Sequence, residues 1–265
     1  MIWLARNLPH DFRTWDRLTQ IAFVLGLVLL GAAAAVFFIG PPDIRLPVLV
    51  GGGGLILVLQ VTVLLGNRGM RSAYALAQQH YLAGDFQSAR ALLERGRASG
   101  RASARVLTLL GNTYRQLGDL ENSSAVLSEA LNKEPDHHFP LYGFGRTLLA
   151  QGQFAEAAAV IRRALDAGAP PVVLGDLGEA LFHAGMQDEA ARTLRVAAEQ
   201  RETRETPHRL LMAHWLLYEM GDAFPLTSAQ IEDGLSYWQA SAERFAGTPY
   251  GARLGQIAGR MAQHL

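Results

Sequence analysis

Four glycines constrain what the greater part of this chain can fold into. Gly84, Gly118, Gly152 and Gly185 stand 34, 34 and 33 residues apart, within the segments HYLAGDFQSA, YRQLGDLENS, LLAQGQFAEA and LFHAGMQDEA. A fixed period of this length marks one supersecondary unit copied along the chain, each copy burying its apolar face on the next. Seven residues before each glycine comes a small residue, Ala77, Gly111, Gly145 or Gly178, each preceded by a bulky one, Leu76, Leu110, Phe144 or Leu177. Five residues after it stand Ala89, Ser123, Ala157 and Ala190, and twelve after it Gly96, Ala130, Ala164 and Ala197. Small side chains at these offsets let two helices joined by the glycine turn cross at close range.

The pattern resembles the tetratricopeptide repeat, a helix–turn–helix unit of 34 residues. Pro135 takes the family's proline position at the end of the second copy, and Pro170 lies one residue late in the third. The resemblance implies an all-α right-handed solenoid whose concave groove is lined by the first helix, A, of each pair. Repeats fall at about 70–103, 104–137, 138–170 and 171–203, within a domain spanning 66–203. Residues 204–265 depart from the pattern. His208–Met220, ending at Gly221-Asp222, and Ser228–Phe245 read as a degenerate fifth pair, and Gly251–Leu265 as a capping helix. Trp215, Tyr218, Tyr237 and Trp238 read as packing residues of that segment.

Ahead of the repeats the chain changes character. Ile21 to Ile39 is a run of nineteen residues, and Leu46 to Leu65 a run of twenty broken only by Gln60 and Thr62, without a charge in either. A helix of roughly 20 apolar residues crosses the hydrocarbon core of a bilayer. Two spans, 21–39 and 46–65, are therefore expected within a hairpin at 20–65, turning at Gly40-Pro41-Pro42. Gly26, Gly31 and Gly51, Gly52, Gly53 and Gly54 are candidates for close helix packing in lipid; the four consecutive glycines also invite a kink. A cleavable signal peptide ending near Ala32-Ala33-Ala34 is the competing reading, opposed by the apolar stretch that continues to Ile39. Arg6, Arg13 and Arg17 before the first run, with Arg68 and Arg71 after the second, outnumber Arg45 in the loop, which places both termini in the cytoplasm. Residues 1–19, with Leu8, Phe12, Trp15 and Leu18 at helical spacing and Trp3 nearby, read as an amphipathic interfacial segment.

Composition excludes several function classes. The 24 basic and 24 acidic residues cancel, so no basic face for nucleic acid is expected. The chain has no cysteine, which removes disulfides, cysteine–zinc sites and cysteine nucleophiles. No phosphate loop, dinucleotide fingerprint, nucleophile elbow or HExxH helix is present. Asp136-His137-His138 falls on a turn between repeats and reads as solvated rather than metal-binding. Neither a cofactor nor catalysis is expected.

What remains is recognition. The resemblance implies that partner peptides contact inward A-helix positions. Here those are Tyr74, Gln78 and Tyr81 in the first repeat and Arg105, Thr108, Asn112 and Arg115 in the second. Tyr142 and Arg146 follow in the third, and Glu179, Phe182 and His183 in the fourth. Guanidiniums beside tyrosines suit an acidic or aromatic segment. Asn112 matches one position of the clamp by which some family members hold a C-terminal carboxylate, but Gly143, Val172 and Asp176 do not. The expected function is a scaffold or adaptor tethered to the bacterial inner membrane, binding a protein and touching the lipid bilayer. The alternative is a structural subunit of a membrane complex, held mainly through the hairpin.

Overall fold

The computed structural model describes residues 17–100 and 102–265, and only the backbone of 65–72. The expected interfacial segment therefore lies almost wholly outside the described residues. All regular structure among them is helical: α1 (Arg17–Ile39), α2 (Arg45–Leu82), α3 (Phe86–Ala98), α4 (Ala104–Gln116), α5 (Leu120–Lys133), α6 (His138–Gln151), α7 (Phe154–Asp166), α8 (Leu174–His183), α9 (Gln187–Glu199), α10 (Arg201–Arg204), α11 (Pro207–Glu219), α12 (Ser228–Arg244) and α13 (Pro249–Ala262). The chain divides into two compact units, Met1–Leu76 and Ala77–Leu265.

In the first unit α1 and the start of α2 hold the two apolar runs. The first run, and the second up to Leu64, lie in 23-residue stretches, Arg17–Ile39 and Pro42–Leu64, long and apolar enough to span a membrane, about 34 Å of helix each. Of their most apolar windows only 11% and 6% is buried, which is not how the core helix of a soluble domain is packed. The helices meet where Phe23 and Leu59 are enclosed, with Leu30 and Val63 packed alongside. Gly26 makes this approach possible, since a Cβ there would lie 2.7 Å from Leu59 Cδ2. Gly31 and Gly51–Gly54 do not share that role: a Cβ at any of them meets nothing within 4 Å. Nor do the four glycines break α2, which is helical without interruption. Gly52 and Gly53 instead floor an open apolar cleft of about 420 Å³ facing Ala33, Ala34 and Phe37.

In the second unit the repeat becomes geometry. Each turn glycine sits in the left-handed region, with φ of 79° at Gly84 and Gly118, 83° at Gly152 and 81° at Gly185. A side chain would be strained there. Asp85 and Asp119 follow two of these turns and cap the next helix, accepting from the amides of Ser88 and Asn122. The small residues seven positions before each turn receive a large one from the second, B, helix. A Cβ on Gly111 would collide with Leu127, on Gly145 with Ile161, and on Gly178 with Leu194. Leu93, Leu127, Ile161 and Leu194 are all enclosed and recur at the repeat period, so they are the knobs of each A–B crossing. Ser123 replaces alanine in the second repeat without leaving a polar atom stranded, since its hydroxyl donates to Gly111 O at 2.8 Å.

The C-terminal segment folds as α11, α12 and α13. It does more than cap the last repeat. Tyr250, Leu254, Ile257 and Met261 of α13, with Ile231, Leu235 and Trp238 of α12, join the core of the third and fourth repeats and α11. Pro249 packs on the turn at Gly152, where a Cβ would lie 3.0 Å from it. The final two helices therefore fold back onto the A helices α6 and α8.

Candidate protein-interaction surface

That return changes what the concave face offers. At its centre Asp176 of α8 is almost fully enclosed and collects three donors: Arg146 Nη1 at 2.6 Å, Tyr142 OH at 2.6 Å and Arg209 Nη1 at 3.1 Å. Burial alone would raise the Asp176 pKa. The two guanidiniums outweigh it and hold the carboxyl at about 2. The same pairing holds Arg146 and Arg209 charged, their pKa values raised. One turn along α8, Glu179 is also enclosed, and burial pushes its carboxyl up to about 7 despite the 2.6 Å bond donated by Tyr250 OH. His183 closes the row. Burial, reinforced by Arg253, lowers its pKa to about 4, and Arg253 donates to its carbonyl at 3.0 Å while lying over the Phe154 ring.

The residues expected to line one groove thus separate into groups. Tyr142, Arg146, Glu179 and His183 form an internal polar layer between repeats three and four and the C-terminal helices. The chain itself supplies partners to each of them, although His183 Nε2 is enclosed without one. Thr108 is also enclosed and donates its hydroxyl to Ala104 O at 2.8 Å. Phe182 turns toward a different cleft, of about 560 Å³, beside Arg192, Glu219 and Met220. Within the second unit Gln78, Tyr81 and Asn112 are half-buried and Arg105 is exposed. Arg115 is enclosed between the two groups, at 7% exposure. Tyr74, half-buried on α2, belongs to the first unit.

Several partners lay beyond the reach of repeat reasoning. Arg209 and Tyr250, which complete the Asp176 and Glu179 contacts, come from outside the periodic region. Arg244 of α12 reaches back to donate to Gln116 of α4 at 2.6 Å. Trp215 and Trp238 are enclosed, Trp238 donating to His208 O at 2.7 Å, while Tyr218 stays exposed. Asp222 forms a two-point ion pair with Arg195. At the turn between repeats, His137 and His138 stack at 4.6 Å and His137 Nδ1 accepts the Phe139 amide. Among the described residues no group of three acidic or imidazole side chains converges as a metal site.

Stacked helix pairs with glycine turns at a constant period define an α-solenoid of helical repeats. Family models described as tetratricopeptide repeat match residues 80–143 and 142–205. Residues 80–205 are thus tetratricopeptide repeats. Among solved structures it is similar to a thermophilic TPR protein of Thermus thermophilus, 16% identical, covering 73% of this chain and 98% of that one with a TM-score of 0.52. It is also similar to MamA from Desulfovibrio magneticus, 18% identical, covering 70% and 94% with a TM-score of 0.48. No curated protein sequence matches it. The repeat array is a protein–protein interaction scaffold.

Proposed function

We propose that the chain is a membrane-anchored scaffold whose hairpin, α1 and the start of α2, tethers the repeat array to the cytoplasmic face of a bacterial inner membrane. There it holds a protein partner, and the tether raises the local concentration of that partner beside a membrane complex. The observation that carries the anchoring half is the hairpin's exposed apolar surface, with Leu18, Phe38 and Ile39 each more than three-quarters exposed. The binding half rests on the strip of A-helix surface left uncovered by α12 and α13: Gln78, Tyr81, Arg105 and Asn112. The chain's chemistry is binding rather than catalysis, since its enclosed carboxylates are engaged by its own side chains.

The cleft at Gly52 and Gly53 favours a second reading, in which the hairpin makes the main contacts as a structural subunit. One experiment separates them. Tagged full-length protein is purified from native membranes in mild detergent, beside a Gln78→Ala, Arg105→Ala double variant, and bound proteins are identified by mass spectrometry. The scaffold reading expects a partner lost from the variant while carbonate-resistant membrane association is unchanged. Retention of every partner by the variant assigns the contacts to the hairpin.

A further inference from the structure

The second apolar run carries two polar side chains, and the fold provides for only one of them. Thr62 donates its hydroxyl to Val58 O of its own helix at 2.8 Å. Gln60 is exposed on α2, and no hydrogen-bond partner reaches its amide among the described residues. Five residues, about 7.5 Å of helix, separate it from the end of the run at Leu65. Helical side chains lean toward the N-terminus of their helix, so this amide leans away from that end and toward the middle of the span. An amide left there without a partner is costly, since hydrocarbon supplies neither donor nor acceptor. Leu49, Gly53, Ile56 and Gln60 follow one another at intervals of four, three and four residues, and so share one face of α2. Gly53 weakens the helix without serving a close contact inside the chain, since a Cβ there meets nothing within 4 Å. Leu49, Gly53 and Ile56 also form one wall of the cleft of about 420 Å³ that faces α1.

We propose that this face of α2 is the interface of a homodimer, in which the Gln60 side chains of two copies pair with each other inside the membrane. The inference rests on the hairpin spanning the bilayer, and it adds what the hairpin meets there. Two copies inserted with the same topology are parallel, and a two-fold axis along the membrane normal sets each residue of the stripe opposite itself at one depth. An amide is both donor and acceptor, so it is its own complement, and two N–H···O bonds close the pair reciprocally. A partner of different sequence needs a polar side chain of its own at that depth, whereas a second copy brings one by symmetry. Gly53, two turns before Gln60, lets the two backbones approach, and the recess beside it receives Leu49 and Ile56 of the second copy. The spacing is that of a coiled-coil seam, in which one polar side chain fixes register and oligomeric state. The cleft is thereby given to a second copy rather than to another subunit.

The chain has no cysteine, so a single introduced thiol reports its own surroundings. Full-length Ile56→Cys and Val58→Cys proteins are expressed in bacterial membranes and oxidised with copper phenanthroline; Val58 is exposed on the opposite face of α2. A disulfide needs Cα atoms within about 7 Å of one another, which the seam provides at position 56 and not at 58. Ile56→Cys is therefore expected to give a disulfide dimer, and Val58→Cys none above the background of collisions. Adding Gln60→Leu to Ile56→Cys slows dimer formation about fivefold, the scale of one interhelical polar pair in a bilayer. Gln60→Asn, which keeps an amide, slows it less. Equal cross-linking from both positions is collision, and none from either leaves no dimer at this face; each overturns the proposal. An undiminished rate with Gln60→Leu overturns the pairing of the amides. Loss of another membrane protein from detergent-purified Gln60→Leu, with cross-linking unchanged, gives the amide to a foreign span and overturns it likewise. Carbonate extraction of the same membranes keeps two failures apart. A chain released by carbonate ends the anchoring reading and the dimer with it, whereas a chain retained without the Ile56→Cys dimer ends the dimer alone.

Discussion

The A helices of this solenoid present two kinds of concave surface, although the repeats that build them follow one pattern. In the third and fourth repeats, Asp176, already paired with Arg146, is met by Arg209 of α11, and Glu179 and His183 by Tyr250 and Arg253 of α13. In the second repeat, α4 has Arg105 exposed and Asn112 half-buried, and the C-terminal helices meet it at Gln116. The difference lies in the chain beyond the fourth repeat. A solenoid groove is a surface with unpaired polar groups, and a C-terminal segment that covers part of it converts binding positions into core. Here the cover is no loose lid, since Leu254 and Met261 are fully enclosed and sit in the same core as α6 and α8.

The strongest way to break the comparison is to remove the anion that holds the closed half together. Asp176→Asn leaves Arg146 and Arg209 enclosed without a carboxylate and is expected to cost about 3–5 kcal/mol, the range for breaking a buried ion pair from one side. Chemical denaturation followed by tryptophan fluorescence reads this, because Trp215 and Trp238 are enclosed in that half. A loss under about 1 kcal/mol, far below that range, means that Asp176 is not the counter-ion of the layer. Next comes packing: Leu254→Ala opens a cavity under α13 and is expected to cost about 2–4 kcal/mol by the same measurement. A Leu254→Ala protein of unchanged stability would turn α13 into a detachable element and reopen the groove of repeats three and four.

The sequence spoke clearly where structure is local and periodic, and was silent where it is neither. Turn glycines, the small residues at Ala77, Gly111, Gly145 and Gly178, and the paired helices follow from one repeating steric requirement. The knobs Leu93, Leu127, Ile161 and Leu194 recur just as regularly, and the same reasoning extended nine residues past each glycine finds them. The closure of the groove has no such signal. Tyr250 and Glu179 are 71 residues apart and Arg244 and Gln116 are 128 apart, contacts that no period relates. A hint was present in Asp176, an acid at a position facing Arg146 of the preceding A helix. Likewise the glycine-rich stretch of α2 shows that small residues permit close packing without enforcing it. Gly26 meets Leu59, whereas Gly51–Gly54 face open space.

Acid–base behaviour sharpens the contrast further, because the closed half holds groups displaced in opposite directions. His183 and His208 are held at about 4 by burial, so unfolding lets them gain protons and stability rises with pH from about 4 to 6.5. Glu179 is held up to about 7 by burial, so it keeps its proton in the fold and releases it on unfolding. Its contribution is present below about 4.5 and falls as pH climbs to 7. The two trends oppose one another across pH 4.5–6.5. Glu179→Gln removes the falling one, and the rise of stability with pH is expected to steepen by about 1.4 kcal/mol per unit, one proton's worth. Parallel curves of Tm against pH for the parent and Glu179→Gln would show that Glu179 is ionised in the fold.

The smallest effect on stability is expected in the open half. Arg105 lies at the start of α4, exposed beside a cleft of about 320 Å³ that Glu134, His137 and Phe139 also line. Exposed surface substitutions away from caps and cores usually fall within about 0.5 kcal/mol, and the cap of α4 belongs to Ser103, not to Arg105. Arg105→Ala is therefore expected to leave the denaturation midpoint within that margin while weakening retention of a partner on the strip. The pair of readouts is what makes the substitution informative. A residue kept for folding moves the midpoint, and a residue kept for recognition moves binding alone. Asp176→Asn and Arg105→Ala should thus fall on opposite axes of a plot of stability against partner retention. If Arg105→Ala destabilises the fold as Asp176→Asn does, the second repeat is as closed as the third and fourth, and the two surfaces are one.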